Sequence, residues 1–242
     1  MDEAQRLADR LRSVRESIGR ACSRSGRDQA SVTLLPVTKG FPAETVREAM
    51  ALGLREFGEN RVQEAEEKIA AVEPRPRWHL IGHLQRNKAG RAVRLFDVIH
   101  SIDSAEIAGE LSRRAGDAGK RVRGLVEVNT SGDQSKFGVP PDRALGLLRE
   151  ARGLDCLEIA GLMTIGPLAG GEHGARRAFQ DLAAIRRGAV RLEILAEDAD
   201  LSMGMSDDFE IAIEEGATII RLGTALFGAG PTRPARPAGP AA

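Results

Sequence analysis

Eight short apolar runs alternate with amphipathic stretches along this chain, and that alternation constrains its fold more than any other feature. The runs are "VTLLPVTK" (32–39), "LREFGE" (54–59), "WHLIGH" (78–83), "DVIHSI" (97–102), "GLVEVN" (124–129), "EIAGLMTI" (158–165), "ADLSMG" (199–204) and "TIIRLG" (218–223). Helical patterns lie between most neighbours, for example over 43–53, 103–119 and 173–188, with capping residues such as Asp103-Ser104 and Ser206-Asp207 at their starts. A strand that returns parallel to its predecessor needs a crossover, usually helical, so the rhythm predicts a parallel α/β sheet. Eight units in 242 residues suit a single (β/α)8 TIM-type barrel; a doubly wound open sheet is the other arrangement. An extra N-terminal helix precedes the first strand, because Leu7, Leu11, Val14 and Ile18 recur at helical spacing and Gly26 supplies a stop. The barrel is expected over residues 1–229. Residues 230–242, dominated by Pro, Ala and Gly with nothing to bury, are expected to form a disordered tail.

Charge narrows the function. Lysine plus arginine and aspartate plus glutamate both total 35, so broad binding to nucleic acid or to an anionic membrane is not expected. No stretch approaches the roughly 20 apolar residues of a bilayer span, and the charged N-terminus does not read as a signal peptide. Cys22 and Cys156 make no disulfide framework, which suits a cytoplasmic protein.

In a barrel of this kind reactive groups gather where the strands end. Lys39 closes the first run, Glu59 and Asn60 follow the second, and Met163 falls near the end of the sixth. The last two runs lead into "SMGMSDDFE" and "RLGTALFG". Glycines followed by Ser or Thr at a helix start expose N–H groups that suit a phosphate, and barrels commonly bind phosphate after strands seven and eight. Ser206, Gly223 and Thr224 would supply those donors; equally, the glycines serve tight turns and Ser206 caps a helix. Asp207 and Asp208 must point away if an anion is to bind. Strands one and eight are neighbours in a closed barrel, so a ligand with an aldehyde at one end and a phosphate at the other could bridge Lys39 and the donors. Pyridoxal 5′-phosphate (PLP), joined to lysine as a Schiff base, is such a ligand.

The segments "PVTKGFP", "FGENRVQE", "WHLIGHLQRNK", "SKFG", "GLMTI" and "LSMGMSDDFEIAIEEGATIIRLGTALFG" together closely resemble the PLP homeostasis protein family, which looks like the alanine racemase barrel domain standing alone. The likeness runs from about residue 5 to 229. It implies that Lys39 forms the Schiff base and that Ser206, Gly223 and Thr224 contact the phosphate. It further implies that Arg221 faces the pyridine nitrogen and that Asn60 and Met163 line the cofactor. One departure lies in "GDQSK" (132–136), where a second acidic residue is expected nearer Gln134.

A guanidinium can only donate hydrogen bonds, so Arg221 would leave the pyridine nitrogen unprotonated and the ring a weak electron sink. The alternative for Arg221 is an ion pair with a core acid such as Glu59. Two functions follow. One is a non-enzymatic PLP binder in intracellular PLP homeostasis, with apo PLP-dependent enzymes as recipients. The other is an amino-acid racemase, which usually needs two acid–base groups. Alanine racemases pair their lysine with a tyrosine, and this chain contains no tyrosine. His79, His83 or Cys156 would have to substitute. The carrier is therefore the expectation, as a monomer, since no second domain of the racemase kind is read. A class I aldolase is disfavoured because its lysine typically lies later in the barrel. His79 and His83 lack the helix and glutamate of a zinc motif. Lys88 and Lys136 read as solvated, with a possible approach to the rim during cofactor transfer.

Overall fold

The computed structural model describes residues 3–133, 135–167 and 170–230. The expected tail at 231–242, and Gln134 within the 132–136 loop, lie outside the described residues. The strands are β1 (Thr33–Pro36), β2 (Glu56–Glu59), β3 (Arg77–Leu80), β4 (Val98–Ile102), β5 (Val122–Glu127), β6 (Leu157–Met163), β7 (Asp200–Ser202) and β8 (Ile219–Leu222). The helices are α1 (Glu3–Ser25), α2 (Ala43–Ala51), α3 (Val62–Ala70), α4 (Ala89–Leu95), α5 (Ala105–Asp117), α6 (Pro141–Arg152), α7 (Gly171–Arg191), α8 (Phe209–Glu214) and α9 (Thr224–Phe227).

All eight strands are parallel, in the order β1-β8-β7-β6-β5-β4-β3-β2. The ring closes just beyond β1, where Val37 bridges Gly58 and the Thr38 N–H donates to Gly58 O at 3.0 Å. This is the (β/α)8 barrel the alternation predicts. Its lumen holds an apolar layer of Leu35, Leu125, Ala160, Met163 and Ile219, while a larger core fills the space between sheet and helices. Each fully buried leucine or isoleucine contributes roughly 1.5–3 kcal/mol relative to exposure.

The N-terminal helix packs on α8 and α9, burying Leu7, Leu11, Val14, Ile18, Ala21 and Cys22. Arg24 of α1 reaches Glu210 and Glu214, both at 2.8 Å, while Arg176 of α7 holds Glu214 and Glu215. The short α8 is thereby gripped from both sides. Ser104 caps α5 as its sequence suggests, accepting from the Ile107 N–H. The other expected cap is different. The helix after β7 starts at Phe209 rather than at Asp207, because Asp208 Oδ1 accepts from the Met205 N–H at 2.6 Å and folds the preceding residues into a turn.

Candidate functional site

The carboxyl ends of β7, β8 and β1 meet at one edge of the barrel mouth. Gly204 takes φ +92°, which an L side chain rarely adopts, and swings the chain so that Ser206 faces the start of α9. There Ser206 Oγ accepts from Thr224 Oγ1 at 3.0 Å and from the Ala225 N–H at 3.2 Å. Ser206 is thus bonded across to the next βα unit instead of capping its own helix. Asp207 and Asp208 turn the other way and line a separate cavity against Glu172 and Ala175 of α7. The acids therefore leave the Ser206–Thr224 cleft to neutral donors.

The register of β1 against β8 brings the lysine to this cleft. Pro36 pairs Leu222, and the Val37 N–H donates to Leu222 O at 2.9 Å. A Cβ on Gly223 would lie 3.6 Å from Val37 O, so the two rims run side by side. Lys39 follows two residues later. The strand itself stops at Pro36, and Lys39 occupies the turn beyond it, exposed and without a hydrogen bond or ion pair among the described residues. Thr38, the residue before it, faces the helix layer, where it joins Glu59 and Lys68 of α3.

That turn is held from below by a buried cluster. Lys68 of α3 donates to Glu59 Oε1 at 2.5 Å and to Thr38 O at 2.6 Å, and Thr38 Oγ1 donates to the same Glu59 oxygen at 2.6 Å. The Phe41 N–H also donates to Thr38 O, at 3.0 Å, closing the turn that carries Lys39. The cluster occupies Glu59, so its alternative pairing with Arg221 does not form. Sequence reading placed Glu59 at the rim but missed Lys68, which reads as an ordinary charge on an amphipathic helix.

Arg221 is buried, 4% exposed, and has no carboxylate within ion-pair distance among the described residues. Its guanidinium donates to Ser202 Oγ and to Thr164 O, both at 2.8 Å. Burial is the main reason that its pKa falls to about 10, with Glu127 and Asp208 opposing. Behind it a polar column crosses the lumen. Ser202 Oγ meets His100 Nδ1 at 2.9 Å, and His100 Nε2 meets His79 Nδ1 at 2.9 Å. His79 Nε2 then lies 3.1 Å from Glu56 Oε2, close enough for an ion pair but not aligned as a hydrogen bond. Glu56 beside His79 Nε2 favours the arrangement in which both histidines carry their proton on Nε2 and the Ser202 hydroxyl donates to His100 Nδ1 while accepting from Arg221. Burial first, and then the neighbouring His79 and Arg221, push the His100 pKa well below the usual histidine range. The column is neutral at its centre and orients the arginine.

Met163 ends β6, fully buried in the lumen layer, whereas Asn60 sits half-buried after β2. A Cβ on Gly82 would fall 2.2 Å from Asn60 O, so only glycine lets the loop after β3 pass this close. The structure thus gathers Lys39, Ser206, Gly223 and Thr224 at one edge, with Arg221 and Met163 buried in the barrel and Asn60 on the β2–β3 side. His79 belongs to the column, and His83 Nδ1 lies 3.2 Å from Asp103 Oδ2. Among the described residues no cluster could hold a metal ion, and no helix is long and apolar enough to cross a membrane.

Residues 11–231 match the family described as alanine racemase, N-terminal domain. A pyridoxal phosphate homeostasis protein of Aquifex aeolicus is 41% identical over 221 residues, covering 91% of this chain and 96% of that one. The human protein of the same name is 37% identical over 234 residues, covering 90% and 84%. The structure of PipY from Synechococcus elongatus with PLP bound superposes with a TM-score of 0.80 at 38% identity, covering 92% of this chain and all of that one. An alanine racemase of Clostridium difficile, 14% identical with a TM-score of 0.71, shares the fold; this chain spans 57% of its length. By the extent and level of these matches, the chain belongs to the pyridoxal phosphate homeostasis protein family.

Proposed function

We propose that this protein holds PLP as a Schiff base on Lys39 and serves intracellular PLP homeostasis without catalytic turnover. One observation carries the reading: an exposed, unpaired amine stands beside a cleft of neutral donors across the β1–β8 junction. The donors fit a phosphate, since Ser206, Gly223 and Thr224 offer hydroxyl and N–H groups while both neighbouring carboxylates face elsewhere. Arg221 would face the pyridine nitrogen, with Asn60 and Met163 lining the ring. The relatives' printed name and the PLP-bound PipY structure support the same cofactor.

When bound, PLP supplies an electrophilic aldehyde to primary amines. Arg221 donates hydrogen bonds and gives up no proton at ordinary pH, so it favours an unprotonated ring nitrogen and a weak electron sink. A racemase also needs a second acid–base group at the mouth. Tyrosine is absent from the chain, His79 is committed to His100, His83 is stacked on Phe137 beside Asp103, and Cys156 precedes β6 at the opposite end of the barrel. These features favour a carrier. Recipient apo PLP-dependent enzymes, a cytoplasmic location and a monomeric state complete the proposal.

Borohydride reduction followed by peptide mass spectrometry tests it. A pyridoxyl adduct on Lys39 is expected, and an adduct confined to another lysine would refute the assignment. Incubation with L-alanine in deuterated water separates the functions: rapid Cα exchange with appearance of the D-isomer would make the protein a racemase.

A further inference from the structure

A second feature of the mouth is left unexplained by that reading. A cavity of about 530 Å³ opens between the loops after β2, β3, β5 and β6. Its outer wall is exposed: His83 stacks flat on Phe137, with ring centroids 3.7 Å apart and planes at 8°. Its inner end is Glu127, the last residue of β5, only 4% exposed. Glu127 makes no side-chain hydrogen bond among the described residues, and its Oε2 is fully buried without a partner. A buried carboxylate in this state costs several kcal/mol unless it is protonated or meets a cation. Burial and the nearby Asp103 raise its pKa to about 7, with Arg221 pulling the other way.

The opposite charge lies on the same cavity. Lys88 is half-buried in its wall and forms no ion pair among the described residues, whereas Arg61 beside it is taken by Glu64 at 3.0 Å. Val62, Ile81 and Ile165 supply apolar surface on the same cavity. A carboxylate without a donor, an unpaired ammonium and apolar surface for a short side chain on one small cavity match a small zwitterion.

We propose that this cavity binds a free amino acid, its ammonium group on Glu127 and its carboxylate on Lys88. The amine reaches the carboxylate through its accessible oxygen, Oε1, with a charge-assisted hydrogen bond. Asn60, set beside the cofactor ring by the proposed function, also lines this cavity, so the two sites adjoin; the amino-acid site does not require Lys39 to carry a cofactor.

Calorimetric titration of the full-length protein with L-alanine tests the site. Prior borohydride treatment removes any exchange between alanine and an aldehyde on the protein. Wild-type protein is expected to bind L-alanine, and Glu127→Gln, which keeps shape but removes the charge, to bind it roughly tenfold more weakly. Lys88→Ala, at a partly exposed position, should cost roughly fivefold. Methylammonium and acetate, each carrying half of the ligand, should bind more weakly than alanine. No heat with wild-type protein at about 10 mM alanine, or equal affinity in Glu127→Gln, overturns the proposal. Methylammonium binding as tightly as alanine overturns the role of Lys88. Because the adduct on Lys39 is scored separately by mass, failure of either reading is distinguishable from failure of the other.

Discussion

Strand β1 has a buried cation on each flank, and the two are handled in opposite ways. On the β2 side Lys68 is closed onto Glu59 at 2.5 Å, with Thr38 sharing the same carboxylate oxygen. On the β8 side Arg221 rests on a serine hydroxyl and a backbone carbonyl, both neutral. The first charge is consumed within the fold and fixes a turn. The second is held in place but left electrostatically open toward the barrel mouth, where Glu127 answers it only at longer range. The cation consumed within the fold is paired at contact distance; the other is oriented by groups that do not neutralise it.

Breaking the closed side should have the largest effect. Lys68→Met leaves Glu59, fully buried, with only the Thr38 hydroxyl. Removing one partner of a buried pair typically costs about 3–5 kcal/mol, and urea unfolding at neutral pH should show it. Replacing both as Lys68→Met with Glu59→Leu should recover most of the loss while freeing Thr38 O, so amide exchange at residues 39–41 should still quicken. A single variant as stable as wild type would mean the pair is not the clamp described.

The open side predicts a gain. The Glu127 pKa of about 7 lies above the ordinary carboxyl value of 4.5, so the folded state binds this proton more tightly than the unfolded chain does. Stability is therefore lost as pH rises from about 4.5 through 7, and the penalty is complete above that range. At one pKa unit per 1.36 kcal/mol, Glu127→Gln should stabilise the protein by about 3 kcal/mol at pH 8 and by almost nothing at pH 4. Urea melts at the two pH values check the sign. An equal effect at both would remove ionisation as the cause. His100 works in the reverse direction: its depressed pKa gives stability that is present above pH 6.5 and lost on further acidification.

The barrel was legible because each strand is short, apolar and followed by an amphipathic helix, a pattern local to a few residues. The meeting of Ser206, Gly223 and Thr224 at one edge of the mouth was legible for the same reason: positions after the last strands follow from chain order alone. The partners of those residues were not. That Ser206 faces α9 and not α8 depends on Gly204 and on Asp208 folding back to Met205, a tertiary choice that local capping preference cannot anticipate. Lys68, Ser202 and Glu127 escaped because their importance lies in which lumen or rim groups the closed ring sets opposite them. The strand ends shifted too: β1 stops three residues before Lys39, since beyond Val37 the backbone bonds change partner from β8 to β2.

The neutral cleft between the two flanks should show the smallest effects, and they sharpen the contrast. Ser206 Oγ has two donors pointed at it, so Ser206→Ala removes a hydroxyl and leaves Thr224 Oγ1 and the Ala225 N–H to water or to a ligand. Both donors lie at the surface, so folding should change by less than about 1 kcal/mol. Under the proposed function, each of Ser206→Ala and Thr224→Ala should weaken PLP binding by roughly 0.5–1.5 kcal/mol, about two- to tenfold, because a neutral donor contributes one ordinary hydrogen bond. Thr224→Ser keeps the hydroxyl and should retain affinity. Fluorescence or absorbance titration of the apo-protein with PLP measures all three. If both alanine variants bind PLP as wild type does while Lys39 still carries the adduct, the phosphate is held elsewhere, and the open charge of Arg221 becomes the first place to look.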